Sequence, residues 1–350
     1  MKPRRLKLPA LLLTVALLAG CRGRGPAGPE AAKAEKTEFM MDTVITITAY
    51  GPGAEEAVNA ALAEMRRISA LMNADDPESE VSRLNANAGK RPVKVSPETF
   101  YVLALAQRYS ELSEGAFDVT VRPLVKLWGI GKKDKYVPAE EAVARARSLV
   151  NYRDLVLDEA AQTAYLERPG MGVDLGGVAK GYGADRAREV LREHGIRSAL
   201  IDAGGNIWAI GSRPDGRPWR IGIRNPRPEH GGELLAVLPS EDLTLVTSGD
   251  YERYFIKDGV RYHHIFDPRT GRPARRAISA TIVGQNSAEA DVLSTAVFVL
   301  GPEKGLALIR RLGRLEAVVV TPDEKIVSTG NLEDRLEVVR REDGTGDAGR

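Results

Sequence analysis

Asp291 and Thr295 stand four residues apart in the apolar run Ala290-Asp291-Val292-Leu293-Ser294-Thr295-Ala296. Residues i and i+4 share one face of an α-helix, so this spacing aims a carboxylate and a hydroxyl at one point. Two hard oxygen donors on a mostly apolar helix suit Mg²⁺, which takes few protein ligands and fills its shell from water and phosphate. The same residues admit a structural role, because an acid early in a helix favours the dipole and a core Thr can bond its own backbone. The flanks predict the helix itself. Asn286 can cap it, Glu289 follows at capping-box spacing, and Gly301-Pro302 stops it.

Four other segments carry polar groups of chemical interest. Asp174-Leu175-Gly176-Gly177-Val178-Ala179-Lys180-Gly181-Tyr182-Gly183 is a glycine-rich turn opening a helix. A helix N-terminus offers N–H groups and a positive dipole end to an anion, and Lys180 adds a full charge. Gly176 and Gly181 have P-loop spacing, but Tyr182 stands where that motif needs Lys, and the dinucleotide fingerprint is also absent. A tight strand-to-helix turn is the alternative. Gly115-Ala116-Phe117-Asp118 follows a helix stop and reads equally as a cap with a core Phe. Thr247-Ser248-Gly249-Asp250 ends a strand in small polar residues, as a simple turn also would. Tyr262-His263-His264-Ile265-Phe266-Asp267-Pro268 ends a strand in a turn. Strict alternation puts only His264 on the side of Phe266.

The elements that must hold these groups follow from periodicity and punctuation. Thr43 to Ala49 reads as a half-buried strand. Ala54 to Met72 reads as a helix with Val58, Ala61, Leu62, Met65, Ile68 and Met72 on one face. Ser96-Pro97 predicts a helix start, and that helix runs to Leu112. Further helices are predicted over Pro138 to Val150 and Val178 to His194. Strands are predicted at Ala199–Asp202, Ile207–Gly211, Trp219–Ile223, Leu243–Ser248, Tyr254–Lys257, Val260–Phe266, Ser279–Val283, Ala317–Val320 and Ile326–Ser328. The fold class is therefore α+β or mixed α/β, helix-rich at first and sheet-rich later.

The ends of the chain read differently. Lys2, Arg4, Arg5 and Lys7 precede a short apolar run, Leu8 to Ala19, too short for a comfortable membrane span. It ends in Leu18-Ala19-Gly20-Cys21, similar to the bacterial lipobox in which the cysteine is lipidated. Cys21 is the only cysteine of the 350 residues, so no disulfide framework exists. These features predict a signal peptide over 1–20, a tether over 21–37, a main domain over 38–335 (one large unit or two lobes) and a polar tail over 336–350. The expected location is an exported protein lipid-anchored to the membrane. Losing residues 1–20 removes four basic groups, leaving 46 basic against 48 acidic residues, or −2. No basic stripe with interleaved aromatics appears, which argues against nucleic acid.

Taken together, Met40-Met41-Asp42-Thr43, Gly115 to Asp118, Asp174 to Gly181, Thr247-Ser248-Gly249, His264 to Pro268 and Ala290 to Thr295 resemble, in order, the ApbE flavin transferase family (FAD:protein FMN transferase). The resemblance implies FAD in a cleft of a mixed α/β fold, Mg²⁺ bridging its pyrophosphate, and transfer of FMN to a Thr or Ser hydroxyl of an acceptor protein with release of AMP. Subunits of membrane redox complexes are examples of such acceptors. It implies further that Met41, Ala116, Phe117, Asp118, Asp174, Lys180 and Ile265 contact FAD, and that the Gly177 carbonyl, Asp291 and Thr295 hold the metal. His264 has the unperturbed pKa of a proton acceptor for the hydroxyl. An FAD pyrophosphatase and a flavin-scavenging lipoprotein are the alternatives. Two departures stand out. Asp42 replaces the commoner glycine, and Ala74-Asp75-Asp76-Pro77 carries no aromatic where the family often has one to stack on the flavin.

Overall fold

The computed structural model describes residues 32–131, 136–227, 229 and 232–339. The predicted signal peptide, Cys21 and the last residues of the tail lie outside the described residues. The described residues from Ala32 to Val339 cluster as one compact unit.

Its frame is an eight-stranded sheet whose spatial order is its chain order. The strands are β1 (Lys33–Met40), β2 (Thr43–Tyr50), β3 (Ser198–Ala203), β4 (Asn206–Ile210), β5 (Leu243–Gly249), β6 (Ser279–Gly284), β7 (Glu316–Val320) and β8 (Ile326–Ser328). Every neighbouring pair is antiparallel. The sheet is a meander, and apart from the short helix Gly330–Glu333 and the strand Glu337–Val338 that follow β8, the other described helices and strands are inserted between its strands.

Strand β1 corrects the expected tether, because residues 33–37 already pair with β2. Its sequence, Lys-Ala-Glu-Lys-Thr-Glu-Phe-Met, reads as solvated, yet charged residues are what an edge strand tolerates. One row faces the helix α1 (Ala54–Met72), where Lys36 donates to Asn59 at 2.7 Å and Arg66 pairs with Glu38. Met41 and Asp42 form the two-residue turn to β2, both at positive φ (52° and 57°), as a mirror-type hairpin turn requires. At the other end Glu337–Val338, expected in the tail, pairs with Val237 and Ala236.

One face of the sheet carries helices. Ile45, Ile47 and Ala49 of β2 are fully buried beneath α1 and the helix α6 (Ala179–Glu193), whose Ala184, Ala187 and Leu191 join them. Between these helices in sequence lie α2 (Glu80–Ala86), α3 (Pro97–Leu112), α4 (Arg122–Trp128) and α5 (Glu140–Ser148). The helix α7 (Ser287–Leu300) lies between β6 and β7 in the chain and packs on β5, β6 and α6. The opposite face is covered by Trp219–Arg224 and Leu234–Ser240, whose Ile221, Ile223 and Leu238 pack on Ala209, Leu245, Val283 and Val318. Strand β6, covered on both faces, is buried along its whole length.

One predicted boundary holds with an addition, and one fails. Gly301-Pro302 ends α7 but also begins α8 (Pro302–Leu312), with the proline in the first turn, where its missing N–H costs nothing. The strand predicted over Val260–Phe266 stops at His263: His264 N–H still bonds the Arg253 carbonyl in register at 3.1 Å, but Phe266–Asp267 then pairs with Arg272–Pro273 instead. No helix among the described residues is long and apolar enough to cross a membrane.

Candidate active site

Helix α7 starts as its sequence requires, with the Asn286 side chain accepting from Glu289 N–H at 2.7 Å. One turn on, Asp291 is buried at 3 % exposure. Its Oδ2 accepts from the Gly181 N–H of α6 at 2.9 Å, and its Oδ1 lies 3.5 Å from Lys180 Nζ. That closeness depends on Gly181, where a Cβ would lie 2.2 Å from the Ser287 carbonyl oxygen. Lys180 Nζ also donates to the Gly176 carbonyl at 3.0 Å. On the same face of α7, Thr295 Oγ1 is 3.3 Å from Ser248 Oγ, at the end of β5. Ser248 also meets Ser294 Oγ at 2.8 Å, and Ser294 Oγ donates to the Asp291 carbonyl at 2.8 Å. A Cβ on Gly177 would sit 3.5 Å from Thr295 Oγ1 and 3.1 Å from the Phe117 ring. The predicted trio Gly177, Asp291 and Thr295 is thus gathered in one place. One carboxylate beside neutral oxygens fits a hard cation such as Mg²⁺. Among the described residues no group of three or more His, Cys, Asp or Glu side chains gathers.

The glycine-rich turn is held from within. Asp174 Oδ1 accepts from Gly176 N–H at 3.0 Å, and Oδ2 accepts from Arg122 at 2.9 Å. The amides of Val178 and Ala179 bond to the Leu175 carbonyl, and that of Gly181 to Asp291. The turn amides expected to face an anion are therefore largely engaged, and the Asp174 carboxylate shapes the turn. Lys180 remains the charged group of this turn positioned for an anionic ligand. Arg122 had no sequence signal. Its buried guanidinium also bonds the Ala74 carbonyl at 3.0 Å and pairs with Asp75. The loop that lacks an aromatic is thereby tied to Asp174 by charge.

The remaining predicted contacts divide. Phe117 and Ala116 are buried, with Phe117 against Gly177. The Asp118 carboxylate accepts from Thr120 N–H (2.8 Å), Thr120 Oγ1 (2.6 Å) and Tyr152 N–H (3.0 Å). Burial raises its pKa against those bonds, and the side chain is occupied in fixing the loop. Met41 lies along α6, since a Cβ on Gly183 would meet its Cε at 3.2 Å. Ile265 is buried in the same core as Phe117 and Val178.

The two histidines differ in kind. His263 is buried, with Nε2 2.7 Å from the Ala274 carbonyl, Nδ1 accepting from Ile265 N–H at 3.3 Å, and its ring edge-on to Phe298. Burial pushes its pKa down to about 4. His264 is half-buried, with Nδ1 3.3 Å from the Arg253 carbonyl. A carbonyl only accepts, so this contact puts the proton on Nδ1 and leaves Nε2 to receive one. Burial, then the positive charges of Arg253, His263 and Lys180, holds His264 well below 6.5.

An antiparallel meander sheet flanked by helices, with a carboxylate, a hydroxyl and a lysine brought together at the α6–α7 contact, defines a mixed α+β protein. The chain belongs to the ApbE family, whose model matches residues 41–319. It is similar to the FAD:protein FMN transferase of Treponema pallidum, 37 % identical over 339 residues that cover 91 % of this chain and 93 % of the relative. The FAD:protein FMN transferase of Escherichia coli K12 is 30 % identical, with 87 % and 89 % covered. Among solved structures, the ApbE protein of Thermotoga maritima superposes with a TM-score of 0.81 at 32 % identity, covering 87 % of this chain and 99 % of that one. The flavin transferase ApbE of Vibrio cholerae gives 0.79 at 31 % identity with the same coverage.

Proposed function

We propose that this protein is an FAD:protein FMN transferase, moving FMN from FAD to a Thr or Ser hydroxyl of an acceptor protein and releasing AMP. The observation that carries this is the convergence of Asp291, Thr295, Gly177 and Lys180 at the α6–α7 contact. Curated relatives at 30–37 % identity bear that activity in their names. Asp291 Oδ1, Thr295 Oγ1 and the Gly177 carbonyl would hold Mg²⁺. The ion, when bound, neutralises the pyrophosphate and polarises the bond that breaks.

Lys180 would offset negative charge on the pyrophosphate. Met41, Phe117 and Ile265 supply apolar surface for the flavin, while Asp118 and Asp174 act through the loops they fix. In the reaction the acceptor oxygen bonds to the FMN phosphorus, the P–O bond to the AMP phosphate breaks, and the hydroxyl proton passes to His264 Nε2. The low pKa of His264 keeps that nitrogen free at neutral pH. We further propose that Cys21 carries a lipid anchor, so that the enzyme works at a membrane surface. Cys21→Ser should then release the protein from membranes on fractionation.

The deciding test incubates the full chain with FAD, Mg²⁺ and a Thr-bearing domain of a membrane redox-complex subunit. Mass spectrometry should find the FMN adduct, with AMP formed in equal amount. AMP and free FMN without an adduct would assign hydrolysis instead.

A further inference from the structure

We infer that Asp185 is a positioning residue that caps α7 from α6 and so fixes where Asp291 presents its carboxylate. The inference rests on reading Asp291 as a metal ligand. Asp185 lies one turn beyond Gly181 on the same face of α6. Its Oδ1 accepts from Ser287 N–H at 2.8 Å and from Trp208 Nε1 at 2.8 Å, and its Oδ2 accepts from Ala288 N–H at 2.9 Å. Ser287 and Ala288 open α7.

A helix leaves its first four amides without internal partners. The chain's own cap, Asn286, serves Glu289 alone of the first three residues. The two amides before it are satisfied by a carboxylate from another helix. That carboxylate is also held by the indole of Trp208 in β4, over which Arg188 lies at 4.4 Å. Helix, sheet and helix therefore meet at one side chain. Its negative charge suits the positive end of α7. Burial raises the Asp185 carboxyl pKa, and the three donated hydrogen bonds work against that rise.

The consequence for the site is geometric. Between α6 and α7 three contacts run in one line: Asp185 to Ser287 and Ala288, the bare Gly181 against the Ser287 carbonyl, and Gly181 N–H to Asp291. The middle contact sets the separation of the helices, and the outer two prevent α7 from sliding or rotating against α6. Asp291 follows Ser287 by four residues, so the register that Asp185 fixes is the register of the metal-facing carboxylate. Partners one step behind a ligand commonly change metal affinity about 10- to 100-fold when removed.

Mn²⁺, a spectroscopic substitute for Mg²⁺, is the probe. Its binding to the full chain with FAD present is titrated by electron paramagnetic resonance, which reads affinity without turnover. Asp185→Ala should raise the Mn²⁺ Kd by about tenfold or more. Asp185→Asn keeps an acceptor oxygen and should recover part of that loss. Asn286→Ala is the control: it removes the cap within α7, lowering Tm, and leaves the α6–α7 contacts in place, so Mn²⁺ affinity should stay within about twofold of wild type.

Equal weakening by Asp185→Ala and Asn286→Ala would mean that Asp185 acts only through stability and would overturn the inference. Wild-type affinity in Asp185→Ala would do the same. If Asp185→Ala fails to fold, wild-type affinity in Asp185→Asn decides against it. A wild-type protein that binds no Mn²⁺ would overturn the metal reading, and this inference with it, whereas FMN transfer would still be read separately from the adduct.

Discussion

Gly181→Ala tests the helix contact on which the site depends. A Cβ there would lie 2.2 Å from the Ser287 carbonyl oxygen, 2.6 Å from its carbon and 2.8 Å from the Ala288 Cα. All three are backbone atoms and cannot rotate away, so α6 and α7 must part by about 1 Å to restore ordinary contact. Two opposed effects follow. Alanine gains about 1 kcal/mol of helix propensity over glycine. Overpacking costs about 1–3 kcal/mol, and stretching the Gly181–Asp291 hydrogen bond to a charged acceptor forfeits about 1.5–3 kcal/mol. The losses win by about 1.5–5 kcal/mol, and urea denaturation should show a lower midpoint with an unchanged slope. A displacement of about 1 Å at the reacting centre can also cost about 10²-fold in rate, so FMN transfer should fall by that order. A variant at least as stable as wild type, with full activity, would show that propensity wins and that the helix separation does not matter.

Three further outcomes follow from the same geometry. Asp291→Ala should abolish Mg²⁺-dependent turnover, while Thr295→Val should lose less and recover partly at high Mg²⁺; an unchanged Mg²⁺ titration in Asp291→Ala would remove the metal assignment. His264→Ala should slow transfer by about 10²–10⁴-fold with FAD affinity retained. In the wild type the rate should hold steady around neutrality and fall only well below pH 6.5, so loss of that acid limb in His264→Ala is the second readout. His263 titrates near 4 when folded and near 6.5 when unfolded. The unfolded chain thus binds the extra proton, and stability is full above about pH 6.5 and falls toward pH 4 by about 3 kcal/mol. His263→Gln should flatten that part of the stability profile measured by denaturation, and an unaltered slope would show that another group carries it.

Local patterns transferred from sequence to structure well. Helix α1 spans Ala54–Met72 as its apolar face and ends predict, and Ile326–Ser328 is a strand at the predicted residues. The elements that escaped were those whose signals were masked by a second function. Charge on β1 reads as solvation but serves an edge strand and its ion pairs with α1. Pro239 inside Leu234–Ser240 weakens a strand reading, yet that strand pairs with Trp219–Arg224. Pro302 reads as a stop and is also a start. The two histidines do not follow strand alternation. The strand breaks at His264, so alternation does not govern it, and His263 is the structural one because the Ala274 carbonyl, Ile265 N–H and Phe298 enclose it.

The site was legible in halves, for a reason visible at the α6–α7 contact. The spacing of Asp291 and Thr295 specifies two oxygens on one helix face, and the Asp174–Gly183 run specifies a glycine-rich helix start with a lysine. Neither specifies the other. What joins them is a missing side chain, since only a bare Gly181 lets the N–H of α6 reach Asp291 and brings Lys180 Nζ within 3.5 Å of the same carboxylate. Gly181, spaced from Gly176 as in a P-loop, works here as a spacer between helices. Asp185, four residues later on that face, was within reach of the same i,i+4 argument that singled out Asp291 and Thr295. By contrast Arg122 and Ser248 reach the site from far along the chain, Arg122 52 residues from Asp174 and Ser248 47 from Thr295. No local pattern encodes such contacts. They exist because the meander brings the end of β5 under α7 and because α4 is inserted ahead of the turn it supports.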